Sequence, residues 1–421
     1  MPMKSAARPD VLFLAHRVPY PPDKGDRIRT FHLLRFLARH ANVHLACLAD
    51  EPVAPGVVEN LRRYATRVEV VPLGGGRWVR ALGAVLRGRT ATEGAFRSRK
   101  LQAVLADWAA GTRFQATLAS SSGMTAYQQL PGLRDVPAVV DLVDVDSQKW
   151  FDYAAASRGP RAWLYREEGC RLRRLEQGLP AWARAVTLVG EAEADLYRRF
   201  CAPGVVRAVT NGVDLDYFRP GPPVGDPTCA FVGALNYRPN VDGANWFCHE
   251  VWPEIVRRRP GAKVYLVGRQ PAPAVRRLAV LPGVELVGQV PDVRPYLARS
   301  AVSVVPLRIA RGVQNKVLEA MAMGKAVVAS PQTLLGLKAS PGTHLLRASS
   351  PGEWAGAVLR LFADEDLRLR LGLAGRRYVE ENHRWECCLE PFGPLLGLPG
   401  SDSPGGPCLA PATPGGCSAV S

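Results

Sequence analysis

The chain has no apolar run of the roughly 18 residues that a helix needs to cross a bilayer. The apolar run nearest its start, VLFLA at 11–15, is too short for the core of a secretory signal, and no cleavage site follows it. These absences predict a protein that is made and kept in the cytoplasm. With 421 residues, 47% of them hydrophobic, the chain is long enough for two cores of ordinary domain size.

Cysteine and histidine are sparse and scattered, with nine and seven copies. The odd number of cysteines argues against a closed disulfide framework, and none has zinc-ligand spacing with a histidine. No Ser–His–Asp or Cys–His arrangement is readable, and no pair of carboxylates is assigned as in a glycosidase. The sequence therefore predicts no metal site and no nucleophilic triad.

Acidic residues are also in deficit, with 38 against 54 basic ones, which gives a net charge of +16. This charge favours an anionic partner without choosing among nucleotide, phospholipid and nucleic acid. Aromatic residues do not interleave with the basic ones in a stacking array, so no nucleic-acid partner is expected. The basic excess is concentrated in residues 77–100.

If residues 77–100 are helical, one side is apolar and basic residues flank it. Two interpretations stay open: a helix lying at an anionic membrane surface, or a core-packing helix with a solvated basic face. The apolar side consists of Trp78, Leu82, Val85 and Leu86, flanked by Arg80 and Arg87.

Short apolar strands alternate with helices in two halves of the chain, beginning at DVLFLAH (10–16) and CAFVGAL (229–235). This alternation predicts an α/β fold with two doubly wound parallel sheets and a ligand in the cleft between them. A Pro/Gly-rich linker is expected near 219–228. The predicted divisions are a first domain at 1–205, a second at 206–383, a helix at 384–396 that can cross back to the first domain, and a disordered tail at 397–421.

The stretch RGVQNKVLEAMAMGKAVVAS (311–330) follows a predicted strand and predicts a helix starting near Val313. The free N–H groups and positive dipole end of such a helix suit a phosphate. Lys316 adds a cation for a diphosphate, and Glu319 can accept hydrogen bonds from two ribose hydroxyls. The alternative is a surface Lys–Glu pair three residues apart. The donor-binding residues expected here are Arg311, Gly312, Val313, Gln314, Lys316 and Glu319.

Two further loops of the second half are candidates. In FVGALNYRPN, Gly233 ends a strand and clears space beside the backbone, while Arg238 either clamps a phosphate bidentately or is a solvated loop residue. In NGVD, Asn211 is either a structural turn residue or a cleft residue.

Several of these motifs resemble the carboxyl-terminal half of retaining, GT-B, family-four glycosyltransferases: NKVLEAMAMGKAVVAS, NGVDLDYF and FVGALNYRPNVDGANWF. HRVPYPPDKGDRIRTFHLL (16–34) and VVDLVDVDSQKW (139–150) resemble a subgroup of sugar transferases found with exosortase (PEP-CTERM) exopolysaccharide gene sets. The resemblance runs from about Val11 to Trp385. It implies a GT-B fold, a nucleotide-sugar donor on the second domain, an acceptor on the first, and no metal or other cofactor.

The resemblance also implies roles in the first half. Gly25 belongs to the loop that lies near the donor phosphate, and its N–H precedes a helix. Asp144 stands where the family places a polar residue that touches the donor sugar, and strand alternation puts it on the face opposite Asp141. The triplet Asp144-Val145-Asp146 is not read as a metal site.

The chain departs from the family at Arg311, which stands where a sugar-binding glutamate is usual. An arginine cannot accept a hydrogen bond, so that contact is lost or reversed. Either the donor carries its own carboxylate, as a uronic acid does, or Arg311 turns away and pairs with a nearby acid.

The sequence predicts a cytoplasmic glycosyltransferase that moves a sugar from a nucleotide diphosphate to an exopolysaccharide or lipid-linked saccharide with retention. Lys316, Arg238 and Asp144 are the predicted catalytic residues. The rivals are a nucleotide-sugar 2-epimerase of the same architecture and a non-catalytic, membrane-docked scaffold.

Overall fold

The computed structural model describes residues 8–23, 25–222 and 226–399. Its first sheet has seven strands in the order β3-β2-β1-β4-β5-β6-β7, and every pairing is parallel. This is the strand order of a doubly wound, Rossmann-like sheet with one added edge strand. The strands are β1 (Asp10–Ala15), β2 (Asn42–Ala49), β3 (Arg67–Pro72), β4 (Ala116–Ser120), β5 (Ala138–Val143), β6 (Ala185–Leu188) and β7 (Val206–Ala208).

The second sheet has six strands in the order β10-β9-β8-β11-β12-β13, again all parallel. Two parallel sheets with crossover helices confirm the predicted α/β, GT-B-like architecture. The strands are β8 (Thr228–Val232), β9 (Lys263–Val267), β10 (Val284–Gly288), β11 (Val302–Val305), β12 (Ala326–Ala329) and β13 (Leu346–Arg347).

Helices cover both faces of each sheet, and a short π-helix at Phe247–Val251 joins α10 to α11. In the first half they are α1 (Gly25–His40), α2 (Val57–Arg62), α3 (Arg77–Leu86), α4 (Ala91–Phe96), α5 (Arg99–Gly111), α6 (Thr125–Gln128), α7 (Asp146–Ala155), α8 (Gly159–Gly178) and α9 (Glu191–Arg198). Those that follow are α10 (Arg238–Trp246), α11 (Trp252–Arg258), α12 (Pro273–Arg276), α13 (Arg294–Ala298), α14 (Asn315–Ala322), α15 (Pro331–Leu334), α16 (Pro351–Ala363), α17 (Glu365–Asn382), α18 (Trp385–Leu389) and α19 (Phe392–Leu395).

The continuous apolar runs of the strands follow from burial on both faces. In β1, Val11 and Phe13 belong to one hydrophobic core, whereas Leu12 and Leu14 belong to another across the sheet. Alternate residues of a strand point to opposite faces, so a strand covered on both sides needs apolar residues at every position.

Two predicted boundaries need correction. β7 pairs with β6, so the first sheet extends past residue 205. At the other end, Trp385 and Phe392 pack into the core of the first half, which the chain re-enters through α18 and α19. Leu398 is buried in the same core, so residues 397–399 are not part of a disordered tail. The remainder of that predicted tail lies outside the described residues.

The sequence predicts one long helix at 149–177 and another at 241–259, and of these two only the second is continuous. The predicted helix at 149–177 is the hairpin of α7 and α8, because Gly159 (φ 64°) and Pro160 start a new helix. The predicted helix at 241–259 is confirmed, because α10, the π-helix and α11 follow one another without a gap from Arg238 to Arg258, and Pro253 lies in the first turn of α11. The segment 77–100 is not one helix but α3, α4 and the start of α5, and Gly88 (φ 74°) follows the end of α3.

The apolar side predicted for residues 77–100 is exposed on α3. Trp78 is 70% exposed, Leu82 62% and Leu86 79%, while small Ala81 and Ala84 face the protein. A helix that packed its large apolar residues into the core would show the opposite pattern.

Candidate active site

Residues around the start of α14 assemble at the carboxyl end of the second sheet. Lys316 lies in the first turn of α14, and its ammonium donates a hydrogen bond to the Asn240 side-chain oxygen at 2.5 Å. A Cβ atom on Gly233 would stand 2.9 Å from Lys316 Nζ. Gly233 therefore leaves the room that the ammonium occupies, and Asn240 fixes its position.

Lys316 and Glu319 are half-buried charges of opposite sign on one helix. Burial lowers the pKa of Lys316 to about 8, opposed by the charge of Glu319. Burial likewise raises the pKa of Glu319 to about 7, opposed by Lys316. Both groups titrate close to neutral pH, a property that concentrates at binding and catalytic sites.

The loop before α14 holds the remaining predicted residues of this segment. The helix begins at Asn315 rather than near Val313, so Val313 and Gln314 precede it. The side chain of Val313 is buried in the hydrophobic core of the second half, so only its backbone can contact a ligand. Gln314 donates its side-chain amide to the Arg311 carbonyl oxygen at 2.7 Å. The loop is therefore shaped by its own hydrogen bonds.

Gly312 is the point at which this loop meets the first half. Its φ is 58°, and a Cβ atom there would stand 2.7 Å from Asp144 Oδ1 and 2.6 Å from Val189 Cγ1. A side chain would therefore force the two halves apart, so the close approach requires glycine.

Asp144 leaves the first sheet through a γ-turn, in which its N–H donates to the carbonyl oxygen two residues earlier at 2.9 Å. Val143, the central residue, has φ 69°, a strained conformation for a β-branched side chain and one that clusters at functional sites. Because the register shifts between Asp141 and Val143, simple alternation from Asp141 does not place Asp144. Burial, together with the charges of Glu193 and Asp146, raises the pKa of Asp144 to about 7.

Arg311, in the loop before α14, pairs with acids of the first half. Its guanidinium contacts Asp152 Oδ2 at 2.6 and 2.9 Å and Glu193 Oε1 at 3.3 Å. These contacts agree with the second explanation for an arginine at this position, in which Arg311 pairs with a nearby acid and not with a carboxylate of the donor. Arg311 bridges the two halves at the mouth of the cleft.

Arg238 and Gly25 lie on opposite sides of the cleft. Arg238 begins α10 and is exposed, with its guanidinium 5.8 Å from the ring centre of Tyr153 in α7. Gly25 begins α1, and a Cβ atom there would lie 4.0 Å from the side-chain nitrogen of Asn315. The first residues of α1 and α14 therefore face each other, whereas the phosphate clamp by Arg238 stays a prediction.

Asn211 ties the two halves together. Its side-chain oxygen accepts from Arg29 at 2.9 Å, and its nitrogen donates to Asn315 Oδ1 at 3.0 Å. Arg29 in turn makes a two-pronged pair with Asp141, with both distances 2.8 Å and both side chains buried. Both polar atoms of the Asn211 side chain have protein partners, which favours the structural interpretation over direct donor binding.

Five contributing residues were not selected from the sequence. Asn240 follows the selected Arg238 within the same motif, and Glu193 lies in an acidic helix start, so a local signal existed for both. Arg29, Asp152 and Asn315 resemble ordinary polar helix residues, and their roles depend on partners far away in the chain.

In residues 8–23, 25–222 and 226–399, no group of three or more His, Cys, Asp or Glu side chains is arranged to hold a metal ion. Six of the cysteines there are free. Within the same ranges, no helix is long and apolar enough to cross a membrane.

Comparison with solved structures identifies the fold. Sucrose-phosphate synthase from Thermosynechococcus elongatus superposes with a TM-score of 0.69 at 19% identity, covering 92% of this chain and 98% of that one. HepE from Anabaena, solved in complex with UDP-glucose, gives 0.67 at 14% identity, covering 92% and 99%. TarM from S. aureus, a mutant solved with fondaparinux, alpha-GlcNAc-glycerol and UDP, gives 0.65 at 9% identity, covering 92% and 99%.

Sequence comparison adds the family of the second half. Residues 226–364, about a third of the chain, match the model of the family described as glycosyl transferases group 1. No curated protein matches the chain. The matched residues contain Gly233, Lys316 and Glu319, so the family assignment falls on the candidate donor site. The chain therefore has a two-domain GT-B fold, and residues 226–364 of its second half are similar to the group 1 glycosyltransferases.

Proposed function

We propose that this protein transfers a sugar from a nucleotide-diphosphate donor to a saccharide acceptor with retention of configuration. The observation that carries the proposal is the cluster of Gly233, Asn240, Lys316 and Glu319 at the start of α14. It combines a helix amino terminus, an ammonium and a carboxylate in the order that a nucleoside diphosphate presents phosphate and ribose.

The proposed reaction depends on stabilising the negative charge that develops on the leaving diphosphate. As the bond between the anomeric carbon and the diphosphate oxygen breaks, negative charge develops on the leaving diphosphate, where Lys316 and the α14 dipole stabilise it. The acceptor hydroxyl forms the new bond on the same face of the sugar and passes its proton to the departing phosphate oxygen. Asp144, across the cleft, contacts the donor sugar. No metal or other cofactor takes part in this scheme.

A screen of nucleotide sugars tests the donor site. HepE is described in complex with UDP and with UDP-glucose, so UDP-sugars are the first donors to examine, followed by GDP-, ADP- and dTDP-sugars. Mass spectrometry should detect slow release of free sugar from one donor class without an acceptor. Lys316→Ala should abolish this release. Lys263→Ala should leave this release unchanged, because Lys263 lies at the amino end of β9, whereas the candidate site lies at the carboxyl end of the sheet.

The same screen separates the rival functions. A 2-epimerase would convert the donor without any acceptor and yield the epimeric sugar. A scaffold with a decayed donor site would bind no nucleoside diphosphate at all. Either result contradicts the proposal.

The acceptor we propose is an exopolysaccharide intermediate, carried on a lipid, in a system of the exosortase type. Support comes from the loop HRVPYPPDKGDRIRTFHLL and the segment VVDLVDVDSQKW, which resemble the corresponding subgroup of sugar transferases. A lipid-linked acceptor requires the enzyme to work at the cytoplasmic face of a membrane.

We place the membrane contact on α3, whose outward side carries Trp78, Leu82 and Leu86 in exposed positions. The Arg77 guanidinium lies 4.9 Å from the Trp78 ring centre, and the exposed Arg87 and Arg89 follow the helix, so this segment combines an apolar face with positive charge. An anionic bilayer complements both features, with the apolar side chains in the headgroup boundary. Arg80 is not part of this surface, because its guanidinium donates to the Leu73 carbonyl oxygen at 2.7 Å.

Sedimentation with vesicles of equal parts phosphatidylglycerol and phosphatidylcholine tests this surface. Replacing Arg77, Arg87 and Arg89 with Gln should weaken binding about a hundredfold, since each arginine near an anionic surface contributes about 1 kcal/mol. The control replaces three exposed arginines of the second half and removes the same charge. Equal loss in both variants would contradict α3 as the contact. The control positions are Arg276, Arg277 and Arg360.

A further inference from the structure

A cluster of three aromatic rings lies beside the candidate active site and outside the hydrophobic cores. The ring centres of Trp150 and Tyr165 are 5.4 Å apart, those of Tyr153 and Tyr165 6.0 Å, and those of Trp150 and Tyr153 6.1 Å. Among the described residues, the four core clusters include none of these rings. All three are half-exposed. Their packing therefore does not serve the cores of either half.

The cluster stands on the hairpin of α7 and α8, which the chain inserts between β5 and β6. Because α7 starts directly after Asp144 leaves β5, the hairpin rises from the edge of the sheet that bears the candidate site. Tyr153 lies at the border, since the Arg238 guanidinium of the other half lies over its ring. The rings thus extend from the cleft along the surface of the first half.

Polar groups surround the rings on the hairpin. Arg161 donates from Nε to the Tyr165 hydroxyl at 2.8 Å, and its guanidinium lies 5.3 Å from the centre of that ring. Asp152, one residue before Tyr153, binds Arg311 at the mouth of the cleft. Apolar ring faces bordered by hydrogen-bonding groups are typical of a ligand site rather than of a protein interior.

We propose that Trp150, Tyr153 and Tyr165 form a saccharide subsite that holds the acceptor chain beyond its reacting unit. The C–H bonds on one face of a pyranose carry partial positive charge and lack hydroxyls, so they match the negative face of an aromatic ring. Burying that face also removes apolar area from water. The hydroxyls at the rim of the sugar can then pair with Arg161 and its neighbours.

The position of the cluster favours a saccharide acceptor over the donor. The diphosphate and ribose groups, Lys316 and Glu319, belong to the second half, whereas all three rings belong to the first. A subsite on α7 and α8 would direct a sugar chain toward Asp144, and it would leave the nucleotide site untouched. This inference rests on the proposed glycosyl transfer.

Saturation-transfer NMR with cellotetraose, maltotetraose and chitotetraose tests the subsite in the full-length protein. The wild type should bind at least one of these neutral tetrasaccharides. Tyr165→Ala should weaken that binding about tenfold, in line with the loss of one aromatic contact and its buried area. Tyr165→Phe should retain it, because the ring face and not the hydroxyl makes the contact.

Trp163→Ala is the matched control, since Trp163 is an aromatic residue of the same helix that is 67% exposed and outside the cluster. It should leave tetrasaccharide binding unchanged, and UDP affinity measured by calorimetry should be the same in all four proteins.

Three results would overturn the subsite: no tetrasaccharide binding in the wild type, equal losses in Tyr165→Ala and Trp163→Ala, or a loss in Tyr165→Phe as large as in Tyr165→Ala. A fall in UDP affinity in Tyr165→Ala would instead assign the rings to the donor. Failure of the proposed transfer is distinguishable, because it would appear in the donor screen, as no nucleotide binding or as release of the epimeric sugar, whatever the tetrasaccharide result.

Discussion

Arg311 offers the sharpest test of how the two halves work together. Its contacts with Asp152 and Glu193 cross the cleft, so they stabilise the closed arrangement in which Gly312 lies against Asp144. The Asp152 side chain is 39% exposed, which limits its contribution to about 1 kcal/mol, and the buried Glu193 at 3.3 Å adds about the same. Losing about 2 kcal/mol shifts the balance between closed and open forms by up to about thirtyfold.

The experiment combines donor turnover with small-angle scattering. Arg311→Glu should lower kcat/KM for every hydrolysed donor alike and enlarge the particle, because the new carboxylate faces Asp152 and Glu193 across the cleft. The double variant Arg311→Glu with Asp152→Arg restores the pair in reverse and should recover most of the loss. Arg308→Gln is the control, since Arg308 makes a similar two-pronged pair with Asp242 within the second half.

Two outcomes would refute this account. A selective gain on neutral hexose donors in Arg311→Glu would mean that Arg311 contacts the donor sugar, as the carboxylated-donor hypothesis requires. Failure of the double variant to recover activity and compactness would mean that the pair does not hold the halves together.

Three substitutions test the remaining contacts. Arg29→Leu leaves Asp141 buried without its guanidinium partner and should cost about 3–5 kcal/mol in urea unfolding, and a loss below about 1 kcal/mol would contradict the contact. Glu319→Ala should weaken binding of the free nucleoside diphosphate about ten- to a hundredfold by calorimetry, and unchanged affinity in a folded variant would remove Glu319 from the site. Lys316→Ala should lower turnover more than Glu319→Ala, because leaving-group charge grows in the transition state, whereas a rise in KM alone would make it a binding residue. Wild-type affinity for the nucleoside diphosphate should fall as pH rises through about 8, where Lys316 loses its proton, and this fall should be absent from Lys316→Ala.

The sequence predicted the buried strands well because their signal is local. The apolar run NVHLACLA predicts a strand at 42–49, and β2 has these bounds, Asn42–Ala49. The edge strands β7 and β13, of three and two residues, are too short to show any period. The break before α8 was missed although Gly159 and Pro160 are visible in the sequence, because each can also stand near a helix end or within a kink.

The residues of the candidate site likewise fall into two groups, those with a local sequence signal and those whose partners are distant in the chain. Gly233, Lys316 and Glu319 could be selected because each follows a strand end, and parallel strands place all such ends at one edge of the sheet. Arg311 could be selected too, but its partners stand 118 and 159 residues earlier in the chain. A local pattern shows which hydrogen bonds a side chain can make and not which group will be opposite it.

Arg29 is the clearest example of a residue whose partners cannot be predicted from the local sequence. Within IRTFHLLR it resembles a solvated position on an amphipathic helix, yet it is 1% exposed and bonded to Asp141 and to Asn211, 182 residues away. An arginine is buried only where a carboxylate and carbonyl oxygens replace its water, so its burial depends on the packing of α1, β5 and the segment that leaves the first sheet. Asn211 also donates a hydrogen bond to Asn315, so the packing of Arg29 is linked to the start of α14. The position of the donor site relative to the first half therefore depends on a buried ion pair that only the folded chain creates.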